Sequence, residues 1–232
     1  MIGILVQLAL SWLLVWLSER NNLSVLGWKP TKFRLQHFVI FLSIAAAFSA
    51  SAFVLNMWIA EQRWQLNPVL SANLIAAGIW FNIKSVLFEE LIFRGVLLYI
   101  LIKKIGIKAI WLSAIAFGAF HWFTIGFDNV VQLIIFFLLT GSMGLVLGYA
   151  YFKTKSLYVP VAIHLGWNVI QQVVFSIGPL GKQLLVEVLP QPEVTVSYLS
   201  AFFIFLFPMV GVLLVCAILI RNIKCYNNHS PV

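Results

Sequence analysis

A chain of 232 residues that is 62% hydrophobic and 9% charged departs far from soluble domains, which run near half apolar and a quarter charged. The composition excludes a soluble globular enzyme, points to a polytopic membrane protein, and leaves no room for a sizeable soluble domain. A net charge of +8 in a soluble protein would suggest nucleic acid. Here the basic residues sit in short loops, where topology and anionic lipid account for them, so no nucleic-acid partner is expected.

A membrane-spanning helix needs about 20 apolar residues. Seven segments qualify: 2–18, 38–60, 69–102, 107–126, 129–152, 156–178 and 197–220. The first is short, but it lacks a basic start and a cleavage site and reads as a retained helix rather than a signal peptide. It is followed by Arg20, Lys29, Lys32 and Arg34. After the second segment comes only Arg63. The third is too long for one upright span and reads as a tilted helix, or as a span plus a re-entrant piece that would make an eighth helix. Lys103, Lys104 and Lys108 follow it. The fourth segment leads to a loop without Lys or Arg, where Asp128 reads as the cap of the fifth. Lys153 and Lys155 follow the fifth, Lys182 the sixth, and Arg221 and Lys224 the seventh.

Basic and neutral loops therefore alternate. That pattern fits seven crossings with the N-terminus outside and the C-terminus in the cytoplasm. The expected fold is an all-α polytopic bundle of seven helices, or eight, forming a single membrane domain over 1–232. Cys216 and Cys225 suggest no disulfide framework, thiolate metal site or nucleophile. His37 and His229 are singled out by nothing.

The third segment contains SVLFEELIFRGVLLYI, residues 85–100, in which Glu89, Glu90 and Arg94 interrupt an apolar run. Ionisable groups at membrane depth are costly and normally face a polar interior. His121 lies in the fourth segment, and His164 with Asn168 in the sixth. Glu89 is about 14 residues from Lys103, roughly 21 Å along a helix. His121 is about 13 residues from Lys108, roughly 20 Å, and His164 about 9 from Lys155, roughly 13 Å. The polar groups of three segments thus share similar depths, and packed helices could gather them.

Glu90 and Arg94 are spaced i,i+4 and can pair along one face. Glu89 points about 100° away, which leaves it available for chemistry while Arg94 holds Glu90. His164 and Asn168 are also i,i+4. Phe117 and His121 repeat the spacing, with the small Gly118 and Ala119 between them permitting close helix approach. A carboxylate beside an imidazole can activate water as a general base, and His164 with Asn168 could donate hydrogen bonds to an oxyanion. The same residues could instead bind a divalent metal such as zinc through Glu89, His121 and His164. HExxH and GxSxG motifs are absent.

Each residue also has a plainer reading. The Glu–Glu–Arg cluster could be a register-fixing ion pair. The histidines and Asn168 could be packing residues bonded across helices. Lys84 snorkels or joins the carboxylates, and the tryptophans are interfacial anchors. The functional reading gains from three segments sharing one depth.

EELIFR (Glu89 to Arg94), FGAFH (Phe117 to His121) and HLGWN (His164 to Asn168) resemble the EExxxR, FxxxH and HxxxN motifs of the CPBP family of CAAX proteases and bacteriocin-processing enzymes. The resemblance covers about residues 80–178, the expected catalytic core. It implies an intramembrane endopeptidase similar to the type II CAAX prenyl protease. Glu89 would be the water-activating base with His121, and His164 and Asn168 would serve the oxyanion or a metal. Glu90 and Arg94 would support them. The family is often labelled a metalloprotease, yet a metal-free glutamate mechanism has been argued, so the cofactor is zinc or none. The implied partner is a membrane-associated peptide or protein in the lipid bilayer, and the implied location a bacterial cytoplasmic membrane. The competing expectation is a non-proteolytic membrane scaffold or bacteriocin-immunity factor. A proton-coupled carrier would favour inverted repeats, and none is visible.

Overall fold

The computed structural model describes residues 2–223; Lys224, Cys225 and His229 lie outside them. Helices α1 (Ile2–Glu19), α2 (Lys32–Ile59), α3 (Ala72–Phe93), α4 (Val96–Ile105), α5 (Lys108–Phe120), α6 (Trp122–Ile125), α7 (Val130–Thr154), α8 (Tyr158–Val169) and α9 (Tyr198–Asn222) dominate the described residues. Strands β1 (Trp64–Leu66) and β2 (Leu185–Glu187) form one small sheet, so the fold is nearly but not wholly helical.

Among the described residues five helices, α1, α2, α5 with α6, α7 and α9, are long and apolar enough to cross a membrane. The other two expected spans differ for reasons visible in their residues. Helix α3 carries Lys84, Glu89 and Glu90, and the segment around α8 is helical for only 12 residues before a π turn at Ile170–Val174. The long third segment is broken between Phe93 and Val96 into α3 and α4. Helix α2 starts at Lys32, six residues before its apolar run, because the Thr31 hydroxyl accepts from Arg34 N at 3.2 Å. The cap of α7 is Asn129 rather than Asp128: its side chain accepts from Gln132 N at 3.1 Å.

The chain forms two compact units. The first comprises the chain through Phe38, Leu87–Val161, and the chain from Leu213 on. Its core joins Val15, Leu26, Leu91, Val96, Leu98, Ala109, Tyr151 and Leu157. Polar ties close one end. Glu19 accepts from Tyr99 Oη at 2.7 Å and pairs with Lys103 at 2.6 Å. That bond raises the Lys103 pKa above the ordinary lysine value. Tyr151 Oη donates to Val25 O at 3.1 Å, and Ser156 Oγ to Gly27 O at 3.1 Å. The loop after α1, the end of α4 and the end of α7 therefore meet. These are basic loops in the sequence.

Within this unit α5 and α7 pack without intervening bulk. A Cβ on Gly148 would lie 2.9 Å from Ile110, and one on Gly144 would lie 3.1 Å from Ala114 Cα. Gly118 likewise faces Phe137. Small residues let apolar helices approach closely where lipid offers no hydrophobic drive.

The second unit comprises Val39–Val86 and Ala162–Val212. β1 and β2 pair antiparallel, Gln65 opposite Val186. Asn67 Nδ2 donates to Gln183 O at 2.8 Å, and Phe53 stacks on Phe175 at 3.9 Å between centroids. The loops carrying Arg63 and Lys182, both poor in basic residues, thus lie together. Helix α8 is pressed onto α2: a Cβ on Gly166 would overlap the Leu42 carbonyl oxygen. Buried Ser49 donates to Trp167 O at 3.1 Å and accepts from Gln171 Nε2 at 3.3 Å. Ser49→Ala removes both contacts where no water replaces them. It is expected to lower stability by about 1 kcal/mol, read as a lowered melting temperature in detergent micelles.

Candidate active site

The charged residues of the third segment sit where its helix ends. Glu89 and Glu90 occupy the last turn of α3, and Arg94 lies just beyond it. The break follows from Gly95, where a Cβ would overlap the Leu91 carbonyl oxygen. Any other residue would force the backbone to move. Breaking a helix leaves its last carbonyls without intrahelical donors. Ser113 of α5 takes one of them, donating to Phe93 O at 2.7 Å. Gly95→Ala is expected to shift the end of α3 and lower thermal stability by more than 1 kcal/mol, with activity falling further than stability.

Arg94 is wholly buried and fills the space between this helix end and the α5–α7 seam. Its Nη1 meets Glu90 Oε1 at 3.1 Å, both side chains being fully buried. Nη2 donates to Gly144 O at 3.4 Å, and the guanidinium lies 4.0 Å from the Phe117 ring centroid. The pair that the i,i+4 spacing allows is thus formed, and one guanidinium joins α3, α5 and α7. A planar cation with a fork of donors suits this place as lysine would not. Lys84 instead lies 5.9 Å from the Trp80 ring centroid.

His121 ends α5 by a substitution of partners. Its Nδ1 donates to Phe117 O at 2.8 Å, the carbonyl that its own backbone N–H would take in a continuing helix. That N–H turns to Gly118 O at 3.3 Å instead. A carbonyl only accepts, so Nδ1 carries a proton, and in the neutral ring Nε2 presents a lone pair. Nε2 stands 4.0 Å from Glu89 Oε2. The two side chains are 20% and 15% exposed, while the Glu89 Oε2 atom itself is buried. Trp122 fixes the following turn, donating to Leu133 O at 2.9 Å.

His164 and Asn168 lie on one face of α8 in the second unit, His164 buried and Asn168 half-buried. The π turn begins two residues after Asn168. Such turns are frequent at functional sites.

Among the described residues no three His, Cys, Asp or Glu side chains gather as a metal-binding group. Glu89 and His121 supply two donors, and a hydrolytic zinc uses three protein ligands. His164, the third residue of the expected metal set, lies in the second unit.

Sequence reading passed over Gly95, Ser113, Gly144 and Ser49. Only Gly95, directly after a charge in an apolar run, carried a local signal. The other three act through partners 20, 50 and 118 residues away.

Residues 71–170 match the family described as type II CAAX prenyl endopeptidase Rce1-like. The matched stretch is under half of the chain, and the match agrees with the CAAX-protease resemblance of its three motifs. No curated protein and no solved structure matches the chain. The CAAX-protease segment contains all three motifs, from Glu89 to Asn168, and also Gly95, Ser113 and Gly144. Ser49 and α9 fall outside it. Five helices long and apolar enough to cross a membrane among the described residues, with the match of residues 71–170 to a CAAX endopeptidase family, support an integral membrane protein.

Proposed function

We propose that the protein is an intramembrane endopeptidase that hydrolyses a peptide bond of a membrane-associated protein or peptide. The observation that carries this reading is the Glu89–His121 pair. A 4.0 Å separation is too long for a hydrogen bond. A water donating one hydrogen to each of two acceptors at about 2.8 Å spans acceptors roughly 4.4 Å apart. The pair therefore has the spacing to hold a water between a carboxylate and an unprotonated Nε2.

In the proposed step this water's oxygen attacks the peptide carbonyl carbon as Glu89 takes one of its protons. The carbonyl electrons move to the oxygen. Collapse of the tetrahedral intermediate breaks the C–N bond, and Glu89 returns the proton to the leaving amine. His121 orients the water, with its tautomer fixed by Phe117 O. His164 and Asn168 are assigned as donors to the oxyanion. That assignment rests on the HxxxN pattern and their shared face of α8. Glu90 and Arg94 hold the end of α3 and touch no substrate. The finer topology, with the C-terminus in the cytoplasm of a bacterial membrane, belongs to the proposal and rests on the alternation of basic loops.

The test is cleavage of a library of membrane-associated peptides by purified protein, read by mass spectrometry with and without chelator. Cleavage unaffected by chelator supports the glutamate mechanism. Chelator-sensitive cleavage overturns it in favour of a metal site. No cleavage from folded protein across a broad library counts against the protease.

A further inference from the structure

An apolar cavity of about 210 Å³ lies wholly within the first unit, lined by Trp28, Phe38, Leu87, Leu157, Tyr158 and Val161. Its walls come from the loop after α1 and from α2, α3 and α8. No catalytic residue lines it. Drug-sized ligands occupy roughly 300–1,000 Å³, so this space suits a stretch of chain rather than a whole compact molecule. Its lining offers water almost nothing to bond, and apolar cavities do not hold water well.

The surroundings say what kind of chain. Trp28 and Tyr158 are the residue types that sit at headgroup level, and they are tied together, Tyr158 Oη donating to Trp28 O at 3.1 Å. Phe38 packs edge-on against Tyr158, 6.3 Å between centroids. Basic residues flank the lining in sequence and structure. Lys29 follows Trp28. Arg34 stands one helical turn before Phe38 on α2 and donates to Lys29 O at 2.7 Å. Lys155 precedes Leu157 by two residues, and its carbonyl lies against Gly27. Glu19, the acidic residue on this end of the unit, is engaged with Lys103. An aromatic apolar slot flanked along the chain by three basic residues complements a molecule with an apolar tail and an anionic head.

We propose that this cavity is a binding site for one anionic phospholipid. An acyl chain enters between Trp28 and Tyr158 and reaches Leu87 and Val161, and the phosphate is held by Lys29, Arg34 and Lys155. The inference does not rest on the proteolytic reading, because it concerns no reacting group. Bound there, the lipid braces α3 two residues before Glu89 and α8 three residues before His164.

The experiment is native mass spectrometry of the purified full chain with phosphatidylglycerol or phosphatidylcholine of the same acyl length. One phosphatidylglycerol is expected to stay bound at collision energies that strip phosphatidylcholine. Lys29→Gln, at an exposed loop position, and Lys155→Gln, at the half-buried cap of α7, are each expected to weaken retention about fivefold. Val161→Phe, which fills the slot, abolishes it. A melting curve for each variant establishes folding, and added phosphatidylglycerol raises the wild-type midpoint but not that of Val161→Phe. Equal retention of the two lipids, or retention that survives Val161→Phe in folded protein, overturns the proposal. Displacement of the bound lipid by cleavable peptides also overturns it, because the slot is then a substrate subsite.

Discussion

Glu89→Gln is expected to lower peptide cleavage at least about a hundredfold while the melting temperature stays within a few degrees of wild type. Loss of a positioned general base typically removes 10²–10⁴ of the rate. Glutamine keeps the shape and an acceptor oxygen but cannot take the proton. Its neighbour His121 retains the bond from Nδ1 to Phe117 O, so the imidazole should stay in place. His121→Ala should be nearly as damaging in kcat but less so in KM, since it orients water rather than substrate. The check is a kcat and KM comparison on any peptide cleaved by wild type. Retained cleavage by folded Glu89→Gln sinks the assignment of the base.

Arg94→Gln is expected to cost about 3–5 kcal/mol of stability, because it leaves the Glu90 charge buried without its cation. Glu90 and Arg94 are both fully buried, so water cannot take the missing role. Arg94→Lys keeps the charge but loses the flat contact with Phe117 and the reach to Gly144 O, and should fall between. The double variant Glu90→Gln/Arg94→Gln should recover much of the loss, since both charges are then gone. Equilibrium unfolding in mixed micelles measures all three. If Arg94→Gln and the double variant are equally unstable, the ion pair is not what holds this helix end.

The residues that carry chemistry were legible because charge in an apolar run is conspicuous. Glu89, Glu90 and Arg94 announce themselves against SVLFEELIFRGVLLYI, and the i,i+4 spacing of Glu90 and Arg94 names their partnership before any coordinates do. The helix boundaries nearest the site were less legible. Hydropathy reads 69–102 as one run, since Gly95 is apolar on any such scale. The break after α3 brings the backbone at Gly95 so near Leu91 O that a Cβ would overlap it, a steric requirement no scale records. Nor does hydropathy see that Thr31 extends α2 backwards through Lys32, Arg34 and His37. The same blindness covers polar groups satisfied from afar. Ser113 looks like a neutral residue in KAIWLSAIAFGAF, yet it holds the Phe93 carbonyl.

The pairing of β1 with β2 has a further consequence for how the chain is made. Leu66 meets Leu185, so the two strands emerge from synthesis about 119 residues apart. At about 5–20 residues per second, β1 waits roughly 6–24 s for its partner. The seam of α5 and α7, by contrast, joins helices separated only by the short α6 and can close as soon as α7 is complete. The order of assembly is therefore written into contact distance. The Arg94-centred part can form early. The ends of α2 and α3 stay untied until the last third of the chain has been delivered to the membrane.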